Sequence, residues 1–365
     1  MTNTYFFTGF PGFIATSLIK QLIRNNYEID QIYVLVQPNF VQKAQEEIEK
    51  ITKDEEIQLS QFTVIPGDIT NENLNLNPET TSILQETVTH VYHLAAIYDL
   101  AVPEDIAQKV NVIGTQNINA WVGQLQQLNR YTYFSTAYVS GNREGVILET
   151  ELEKNQTFKN HYERTKYEAE VLVNQIKNEV PTTIIRPGIV KGHSKTGATT
   201  KFDGPYFVLN FFDKLRFLPF IPYLGSGEAE GNFVPVDYIF NATLYLSHAE
   251  VGVGKTYHLT DPKPYSIKEV YKMIMEKFLS KSPKGKIPLS LAKHFLSVST
   301  FRKWLGVEKE ALDYFTCRSQ YDCSQAQQDL QDSGIACPDF KETLDSMVEF
   351  YEKHKKDADK QLVIR

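Results

Sequence analysis

A tyrosine and a lysine lie four residues apart in the segment Tyr162-Glu163-Arg164-Thr165-Lys166. On a helix this spacing places the two side chains next to each other on one face. A phenol has a pKa of about 10, too high for ready proton exchange at neutral pH, and a neighbouring ammonium group lowers it. Tyr162 could then act as a general acid that donates a proton to a carbonyl oxygen while hydride reaches the carbon. The spacing alone is common by chance, so its weight depends on its surroundings.

A hydroxyl pair precedes this segment in Phe134-Ser135-Thr136-Ala137-Tyr138, where a β-strand is expected to end. The carboxyl end of a parallel strand is where such sheets bind ligands. Thr136 is therefore a candidate for holding a substrate oxygen. Ser135 is more simply explained as a turn-forming residue, and the same alternative stays open for Thr136.

A loop of small residues occurs near the start of the chain, in Thr8-Gly9-Phe10-Pro11-Gly12-Phe13-Ile14-Ala15. Glycines let the backbone turn tightly and approach a pyrophosphate, and the free amides at the start of a helix face its negative charge. The loop predicts a dinucleotide site. The alternative is a tight turn with a structural role only.

The residue that would select the cofactor is not acidic. An Asp or Glu after the second strand binds a ribose hydroxyl and favours NAD, whereas this chain has Gln37-Pro38-Asn39. Gln37 can bind a hydroxyl and does not repel a 2′-phosphate, and Lys43 could add positive charge. NADP is favoured, and NAD stays open.

The first two-thirds of the chain alternates short β-branched or aromatic runs with amphipathic helical segments. This pattern predicts a mostly parallel sheet covered by helices on both faces. Strands are predicted at Tyr5 to Thr8, Gln31 to Val36, Phe62 to Ile65, Val88 to Leu94, Arg130 to Ser135 and Thr182 to Arg186. Helices are predicted at Phe13 to Asn26, Phe40 to Ile51 and Val110 to Leu125.

The pattern changes after Gly188. Residues 202–224 are rich in aromatics and prolines, and they predict either a lobe core or an apolar acyl channel over the site. Residues 237–246 and 255–259 predict a helix and a strand that return to the sheet. The prediction is therefore an α/β, Rossmann-like, doubly wound parallel sheet (residues 1–190, with 235–260 returning to it). A smaller, mostly helical C-terminal substrate lobe comprises residues 191–234 and 261–365.

Composition excludes several classes of function. The formal net charge of −7 offers no basic surplus for nucleic acid. There is no secretion signal and no apolar run long enough to span a membrane, which predicts a cytoplasmic protein. Cys317, Cys323 and Cys337 fit no metal or disulfide spacing and are expected to be reduced. The histidines lack ligand spacing, so no metal site is predicted. Asp99 and Asp237 are more simply capping residues than acids of the site.

Together, the motifs resemble those of the extended short-chain dehydrogenase/reductase family. They are TGFPGFIA, GDIT at 67–70, HLAA at 93–96, FSTAYVSG, YERTK and IRPG, and they cover about the first 190 residues. The resemblance implies Thr136, Tyr162 and Lys166 as a catalytic trio, with Asn111 supporting the lysine through its backbone and a water. It also implies a set of cofactor-binding residues, which comprises Gly9, Gly12, Phe13, Ile14, Gln37, Asp68, Ile69, Ala95, Ala96, Tyr162, Lys166, Pro187 and Ile189.

Within that family, STAYVSG and YHLTDPKPYS (residues 257–266) are most similar to the thioester-reductase and fatty-acyl-reductase branch. The branch implies NAD(P)H-dependent reduction of a small-molecule carbonyl: an aldehyde, a ketone or an acyl thioester carried by coenzyme A or a carrier protein. Gln37 departs from the arginine often found there. Resemblance also permits a homodimer through the helices that flank the sheet.

Two other functions stay open. A nucleotide-sugar epimerase or dehydratase uses the same fold and trio, although Ala137 and Tyr138 replace the Asp-Glu pair that dehydration needs. A non-catalytic NAD(P)-binding protein is the third possibility, and the intact trio argues against it.

Overall fold

The structure, a computed structural model, describes residues 2–98, 102–362 and 364. Its largest element is a seven-stranded sheet in which every neighbouring pair of strands is parallel. The strands of the described chain are β1 (Asn3–Thr8), β2 (Ile29–Val36), β3 (Phe62–Pro66), β4 (His90–His93), β5 (Arg130–Phe134), β6 (Gly145–Ile147), β7 (Thr182–Pro187), β8 (Ile189–Lys191), β9 (Tyr223–Leu224), β10 (Phe233–Pro235), β11 (Lys255–Leu259), β12 (Lys286–Ile287) and β13 (Ser319–Tyr321). The order in the large sheet is β3-β2-β1-β4-β5-β7-β11.

Helices make the connections between these strands. They are α1 (Phe13–Arg24), α2 (Val41–Asp54), α3 (Pro78–Thr87), α4 (Glu104–Ala107), α5 (Gly114–Val122), α6 (His161–Ile176), α7 (Tyr206–Leu215), α8 (Val236–His248), α9 (Ile267–Leu279), α10 (Leu289–Ser297), α11 (Ser299–Leu305), α12 (Ser324–Leu330) and α13 (Leu344–His354). A π-helical turn, Gln108–Ile113, joins α4 and α5 into one continuous helix.

The strand order reverses beside β1. The chain proceeds from β1 through β2 to β3 on one side, and then crosses to β4 on the other side. The carboxyl ends of β1 and β4 are therefore adjacent, and Thr8 is in register with His93. Such a reversal opens a crevice where open α/β sheets bind ligands. The motifs predicted from sequence lie on the loops at this crevice.

The central strands of the large sheet are buried along their whole length. Every residue of β4, β5 and β7 is buried, as expected of a parallel sheet covered on both faces. The inner face of α1 buries Leu18, Ile19 and Leu22, which pack into the same core as the sheet. Truncating one such leucine to alanine costs about 2–5 kcal/mol. The predicted strands and helices are confirmed, with ends that differ by a few residues.

A second core fills a smaller, mostly helical lobe. Its buried side chains include Phe202, Phe212, Tyr271 and Met275, and it is built by α7, α9 and α13. The Rossmann-like fold class with a helical C-terminal lobe is thus confirmed. β11 completes the large sheet beside β7. β13 pairs with β6, and α12 packs against α8 and β11. Residues 319–330 therefore pack beside the large sheet, although they come late in the chain. The predicted division into domains stays a prediction.

Two general features bear on function. None of the helices in the described ranges combines the length and the apolar character needed to cross a bilayer. All three cysteines have free thiols; Cys317 and Cys323 are buried and Cys337 is partly buried.

Candidate active site

A single large cavity begins at the carboxyl ends of β1 and β4 and continues into the helical lobe. Its volume is about 1710 Å³. All thirteen residues predicted to bind the cofactor line it, and so does Thr136. The structure therefore brings together side chains that the sequence separates by up to 180 positions.

The loop between β1 and α1 has the shape that the two glycines require. Gly9 has a φ of +85°, which L side chains rarely adopt. A Cβ on Gly9 would lie 2.9 Å from the backbone nitrogen of Ala95, and one on Gly12 would lie 2.5 Å from the carbonyl oxygen of Gly9. A side chain at either position would collide with neighbouring backbone, so this tight turn requires glycine at both.

The start of α1 follows this turn directly, and the two together form a cradle. Phe13 and Ile14 occupy its first two positions, and backbone N–H groups in a first helical turn have no partner within the helix. There is no acidic residue in that turn and no side-chain cap from Gly12. The positive end of the helix dipole thus faces the cavity without a competing anion, an arrangement that fits a pyrophosphate.

The end of β2 lies at the same side of the cavity. Gln37 donates a hydrogen bond to a carboxylate oxygen of Asp68 at 3.1 Å, and the other oxygen of Asp68 accepts from the backbone of Thr70 at 2.8 Å. Ile69 is held by Asn117, which donates to its carbonyl oxygen at 2.8 Å. Exposed Lys43 also lines this part of the cavity. The predicted Gln37, Asp68 and Ile69 form one group here.

A chain of buried hydrogen bonds links the phosphate loop to the next helix. The Thr8 hydroxyl accepts from the backbone of Ala95 at 3.1 Å and donates to Nδ1 of His93 at 2.8 Å. Nε2 of His93 donates to the hydroxyl of Thr115 at 3.1 Å, because that hydroxyl donates onward to the carbonyl of Asn111 at 2.7 Å. Burial lowers the pKa of His93 to about 3, so the ring is neutral.

Asn111 extends this chain to the helix that carries Tyr162. Its side-chain oxygen accepts from the backbone of Ile97 at 2.8 Å, and its amide donates to the hydroxyl of Thr165 at 3.0 Å. Asn111 is not one of the described residues that line the cavity. Its side chain fastens the loop after β4 to α6, one residue before Lys166. The expected support of the lysine through Asn111's backbone and a water stays a prediction.

Lys166 is buried and turned toward the end of β5. Its ammonium donates to the carbonyl oxygen of Phe134 at 2.6 Å and to the hydroxyl of Tyr133 at 3.0 Å. It also lies 4.5 Å from the centre of the Tyr133 ring. Burial lowers the pKa of Lys166 to about 7. An ammonium group close to its pKa at neutral pH can both hold and pass on a proton.

Tyr162 lines the cavity on the same helix. Its ring packs edge-on against Tyr98, with centroids 5.2 Å apart. Burial raises the pKa of the Tyr162 phenol above its usual value, and the adjacent Glu163 carboxylate adds to the rise. This direction is opposite to the lowering expected from the lysine, because desolvation dominates. Tyr162 is therefore a protonated donor in the protein alone.

Thr136 and Ser135 have different roles. The Thr136 oxygen accepts from the backbone of Tyr138 at 3.3 Å, which fixes it at the cavity wall where Tyr162 also lies. The Ser135 hydroxyl instead donates to the buried carboxylate of Glu170, which forms an ion pair with Arg186 at 2.6 Å. This contact joins the end of β5 to α6, so the hydroxyl of Ser135 is used between elements and not within a turn.

The end of β7 forms the wall that leads toward the lobe. Pro187 and Ile189 line the cavity, and the backbone of Ile189 donates to Asn232 at 2.9 Å. A Cβ on Gly188 would lie 2.7 Å from the side-chain oxygen of Asn232, so only glycine fits between them. On the opposite side, Ala95 and Ala96 leave space because their side chains are small.

Beyond Tyr162 the cavity becomes apolar. Its walls there come from α7 and from α10 and α11; the aliphatic and aromatic residues are Phe207, Val208, Phe211, Leu215, Leu218, Leu224, Ala292, Phe295, Leu296, Phe301 and Leu305. The aromatic segment 202–224 thus contributes to the lobe core and also to the apolar wall of the cavity, and its use as an acyl channel stays a prediction. Phe202, Leu209 and Phe212 are fully buried in the lobe core. Phe207, Val208 and Phe211, on another face of α7, line the cavity.

Several residues were missed or placed differently from sequence. Tyr133, His93 and Asp203 were not predicted; Asp203 lines the apolar part, where burial raises its pKa to about 6. Only the positions of Tyr133 and His93 at strand ends could have signalled them. Asp237 does not cap its own helix, since it accepts from Ser194 at 2.7 Å. Asp99 lies outside the described residues. In the described ranges no cluster of His, Cys, Asp or Glu could hold a metal ion.

Comparison with protein families gives one match, which extends over most of the sheet. Residues 7–243 match the NAD-binding family described as male sterility protein. A putative fatty acyl-CoA reductase of Drosophila melanogaster is 27% identical over 281 residues, which is 66% of this chain and 51% of that protein. The chain spans about half or less of the length of the first curated relatives that it matches.

Two solved structures share the fold. The terminal R domain from the myxalamid PKS-NRPS biosynthetic pathway superposes with a TM-score of 0.79 at 24% identity, covering 99% of this chain and 93% of that one. UDP-glucuronic acid 4-epimerase from Bacillus cereus, in complex with NAD, gives a TM-score of 0.66 at 20% identity, with 97% and 100% covered. At these identities the likeness shows the fold alone.

Proposed function

The chain belongs to the male sterility protein family of NAD-binding domains, and from this premise we propose that it is an NAD(P)H-dependent reductase of apolar acyl compounds. Its substrate would be the carbonyl group of an acyl thioester or an aldehyde. The fatty acyl-CoA reductase among its relatives supports the reaction class.

The observation that carries the proposal is the continuous cavity. Pockets for small ligands usually measure about 300–1,000 Å³, so 1710 Å³ leaves room for a dinucleotide and a second ligand. The phosphate cradle occupies one end and apolar walls the other, with Tyr162 between them. An acyl chain placed in the apolar half would bring its carbonyl group to Tyr162.

Three side chains would then share the chemistry. When bound, NAD(P)H supplies the hydride. The hydroxyls of Thr136 and Tyr162 would bind the carbonyl oxygen, and Tyr162 would give it a proton. With a thioester substrate, the bond from carbon to sulfur would then break, and the thiol would leave as the aldehyde forms. Lys166, which the Phe134 carbonyl holds in place, would return a proton to the phenol and stabilise negative charge as it forms. Thr136 serves only to hold the oxygen.

The phosphate of NADP fits better than a bare ribose at the end of β2. No carboxylate immediately follows β2, and Gln37 and Lys43 both line the cavity there. Asp68 is occupied by its bonds to Gln37 and Thr70. NADPH is therefore the proposed cofactor, with NADH as the alternative that titration decides. Cytoplasmic localisation and a homodimer stay predictions.

The epimerase alternative has support from the shared fold only. A nucleotide sugar is rich in hydroxyl and phosphate groups, which need polar partners when they are buried. The walls beyond Tyr162 are mainly aliphatic and aromatic, so they favour an acyl chain. A non-catalytic NAD(P)-binding role leaves the placement of Thr136, Tyr162 and Lys166 on one cavity unexplained.

The experiment titrates purified protein with NADPH and NADH by fluorescence, and then adds acyl-CoA esters and aldehydes of increasing chain length. We expect tighter binding of NADPH, followed by its oxidation. Each additional methylene that the cavity buries should lower KM by up to about fourfold. In Tyr162→Phe, turnover should fall about 100-fold or more while NADPH binding is retained.

Controls separate the alternatives. Tyr167→Phe changes a tyrosine on the same helix that does not line the cavity, and it should leave turnover unchanged. Turnover of a UDP-sugar without added cofactor would replace the reductase with the epimerase. Binding of NADPH with no oxidation by any carbonyl compound would support the non-catalytic role.

A further inference from the structure

A strongly basic segment connects α9 to the end of α11. Residues 280–305 contain six lysine and arginine residues and no aspartate or glutamate, in a chain whose formal net charge is −7. Lys284, Lys286 and Lys303 are exposed. None of these three forms an ion pair within the part of the chain that the structure describes. Lys284, Lys286 and Lys303 therefore present positive charge at the surface of an acidic protein, whereas Lys293 in the same segment is paired with Asp313.

The same segment exposes large apolar side chains. The exposed fractions are 44% for Leu291, 49% for Phe295, 54% for Val298 and 44% for Trp304. Leu291, Phe295 and Val298 are spaced by four and three residues, which places them along one face. The Phe301 ring lies 6.0 Å from Phe295 and 5.7 Å from Trp304, so the apolar surface continues from α10 to α11.

This apolar surface is continuous with the cavity. Phe295 and Val298 are about half exposed, and both also line the cavity. Ala292, Leu296 and Phe301 line it from the inner side of the same two helices. The apolar half of the cavity therefore reaches the protein surface within the same segment that carries the exposed lysines.

We propose that residues 280–305 bind the surface of a lipid bilayer that contains anionic phospholipids. Exposed lysines would contact lipid phosphates, and Leu291, Phe295, Val298 and Trp304 would enter the boundary between headgroups and acyl chains. A bilayer presents anionic groups and apolar chains at a single surface, which matches both the lysines and the exposed apolar side chains of this segment. An acidic protein would match the lysines but leave the apolar side chains without a partner.

Such binding would place the apolar end of the cavity against the bilayer. Acyl substrates, which partition into lipid, could then reach Tyr162 without crossing water. This delivery role rests on the proposed reductase function. Binding to the bilayer does not, because it requires neither cofactor nor turnover.

The test measures sedimentation with vesicles of phosphatidylcholine alone and of phosphatidylcholine with an equal part of phosphatidylglycerol. Binding to the anionic vesicles should be at least about tenfold tighter and should weaken as salt is added. The chain's two tryptophans also report on the contact. Trp304 is exposed and Trp121 is 2% exposed, so the emission should shift to the blue only when Trp304 enters the interface.

A pair of matched variants identifies the surface. The triple variant Lys284→Glu, Lys286→Glu, Lys303→Glu should bind the anionic vesicles at least tenfold more weakly than the wild type. Its control, Lys53→Glu, Lys341→Glu, Lys353→Glu, makes the same change in net charge at exposed positions elsewhere and should bind as the wild type does. None of the six lysines lines the cavity, so both variants should oxidise NADPH with a short, water-soluble aldehyde at the wild-type rate.

Three results would overturn the proposal. They are equal binding to both vesicle types, equal loss in both triple variants, and no shift of the tryptophan emission on binding. Self-association or capture of an acidic protein through this segment, without vesicle binding, would assign it to a protein partner instead. Failure of the reductase assay with retained vesicle binding would remove only the delivery role.

Discussion

Replacing Lys166 with methionine should remove a rise in the free energy of unfolding that the wild type shows as pH increases. The buried ammonium has a pKa of about 7, against 10.5 for an exposed lysine. Between these values the unfolded chain binds more protons than the folded protein, so the wild type gains stability as pH rises. The burial penalty is therefore largest below pH 7 and is progressively removed toward pH 10.

The magnitude follows from the two pKa values. The lysine should destabilise the folded state by about 5 kcal/mol at pH 6 and by about 2 kcal/mol at pH 9. Lys166→Met removes this pH-dependent cost. The variant also leaves the Phe134 carbonyl without its donor, which costs about 1–3 kcal/mol at every pH. The destabilisation by the lysine is therefore larger at pH 6 than at pH 9 by roughly 3 kcal/mol, and the constant loss of the hydrogen bond does not affect this difference.

The assay is urea unfolding of both cofactor-free proteins at several pH values from 6 to 9. The free energy of unfolding of the wild type, relative to Lys166→Met, should rise by about 2–3 kcal/mol across this range. The exposed control, Lys53→Met, should leave the pH dependence unchanged. Parallel curves for wild type and Lys166→Met would refute the argument that burial suppresses the charge of this lysine.

Three further predictions concern the site. Gly9→Ala should weaken NADPH binding at least about tenfold, because its Cβ would meet backbone at 2.9 Å; Gly145→Ala, also at positive φ but in open space, should bind normally in the same titration. His93→Leu should lower the free energy of unfolding by about 1–3 kcal/mol, since the buried hydroxyls of Thr8 and Thr115 each lose one hydrogen bond, and an unchanged urea midpoint would contradict this. Phe211→Gln should raise KM for long acyl chains more than for short ones, whereas Phe217→Gln, 71% exposed and outside the cavity, should not; equal chain-length profiles would argue against the apolar channel.

The fold could be predicted because its signals are local. A strand such as β7 is a run of β-branched residues closed by Pro187-Gly188, and α1 shows an apolar face at helical spacing. The phosphate loop was predictable for the same reason, since Gly9 and Gly12 precede a helix directly. In these cases short-range sequence determines both conformation and burial.

Contacts between distant segments could not be predicted in this way. The turn of Lys166 toward Phe134 and Tyr133 depends on how α6 packs over β5, and no spacing in the sequence encodes it. The raised pKa of Tyr162 has the same origin, because it follows first from the burial of the phenol and then from the adjacent Glu163 carboxylate. For segment 280–305 the sequence predicts only that it belongs to a mostly helical lobe, because the role of its basic and apolar side chains depends on where the cavity opens.

The most direct test of the proposed reaction follows a deuterium label from the cofactor to the substrate. The protein is incubated with NADPH carrying deuterium at the transferable position and with a long-chain acyl-CoA, and the products are examined by mass spectrometry. The proposal predicts an aldehyde or alcohol with deuterium on the former carbonyl carbon, and far less of it with Tyr162→Phe. Unlabelled acyl-CoA recovered intact, from protein that binds the labelled cofactor, would contradict it.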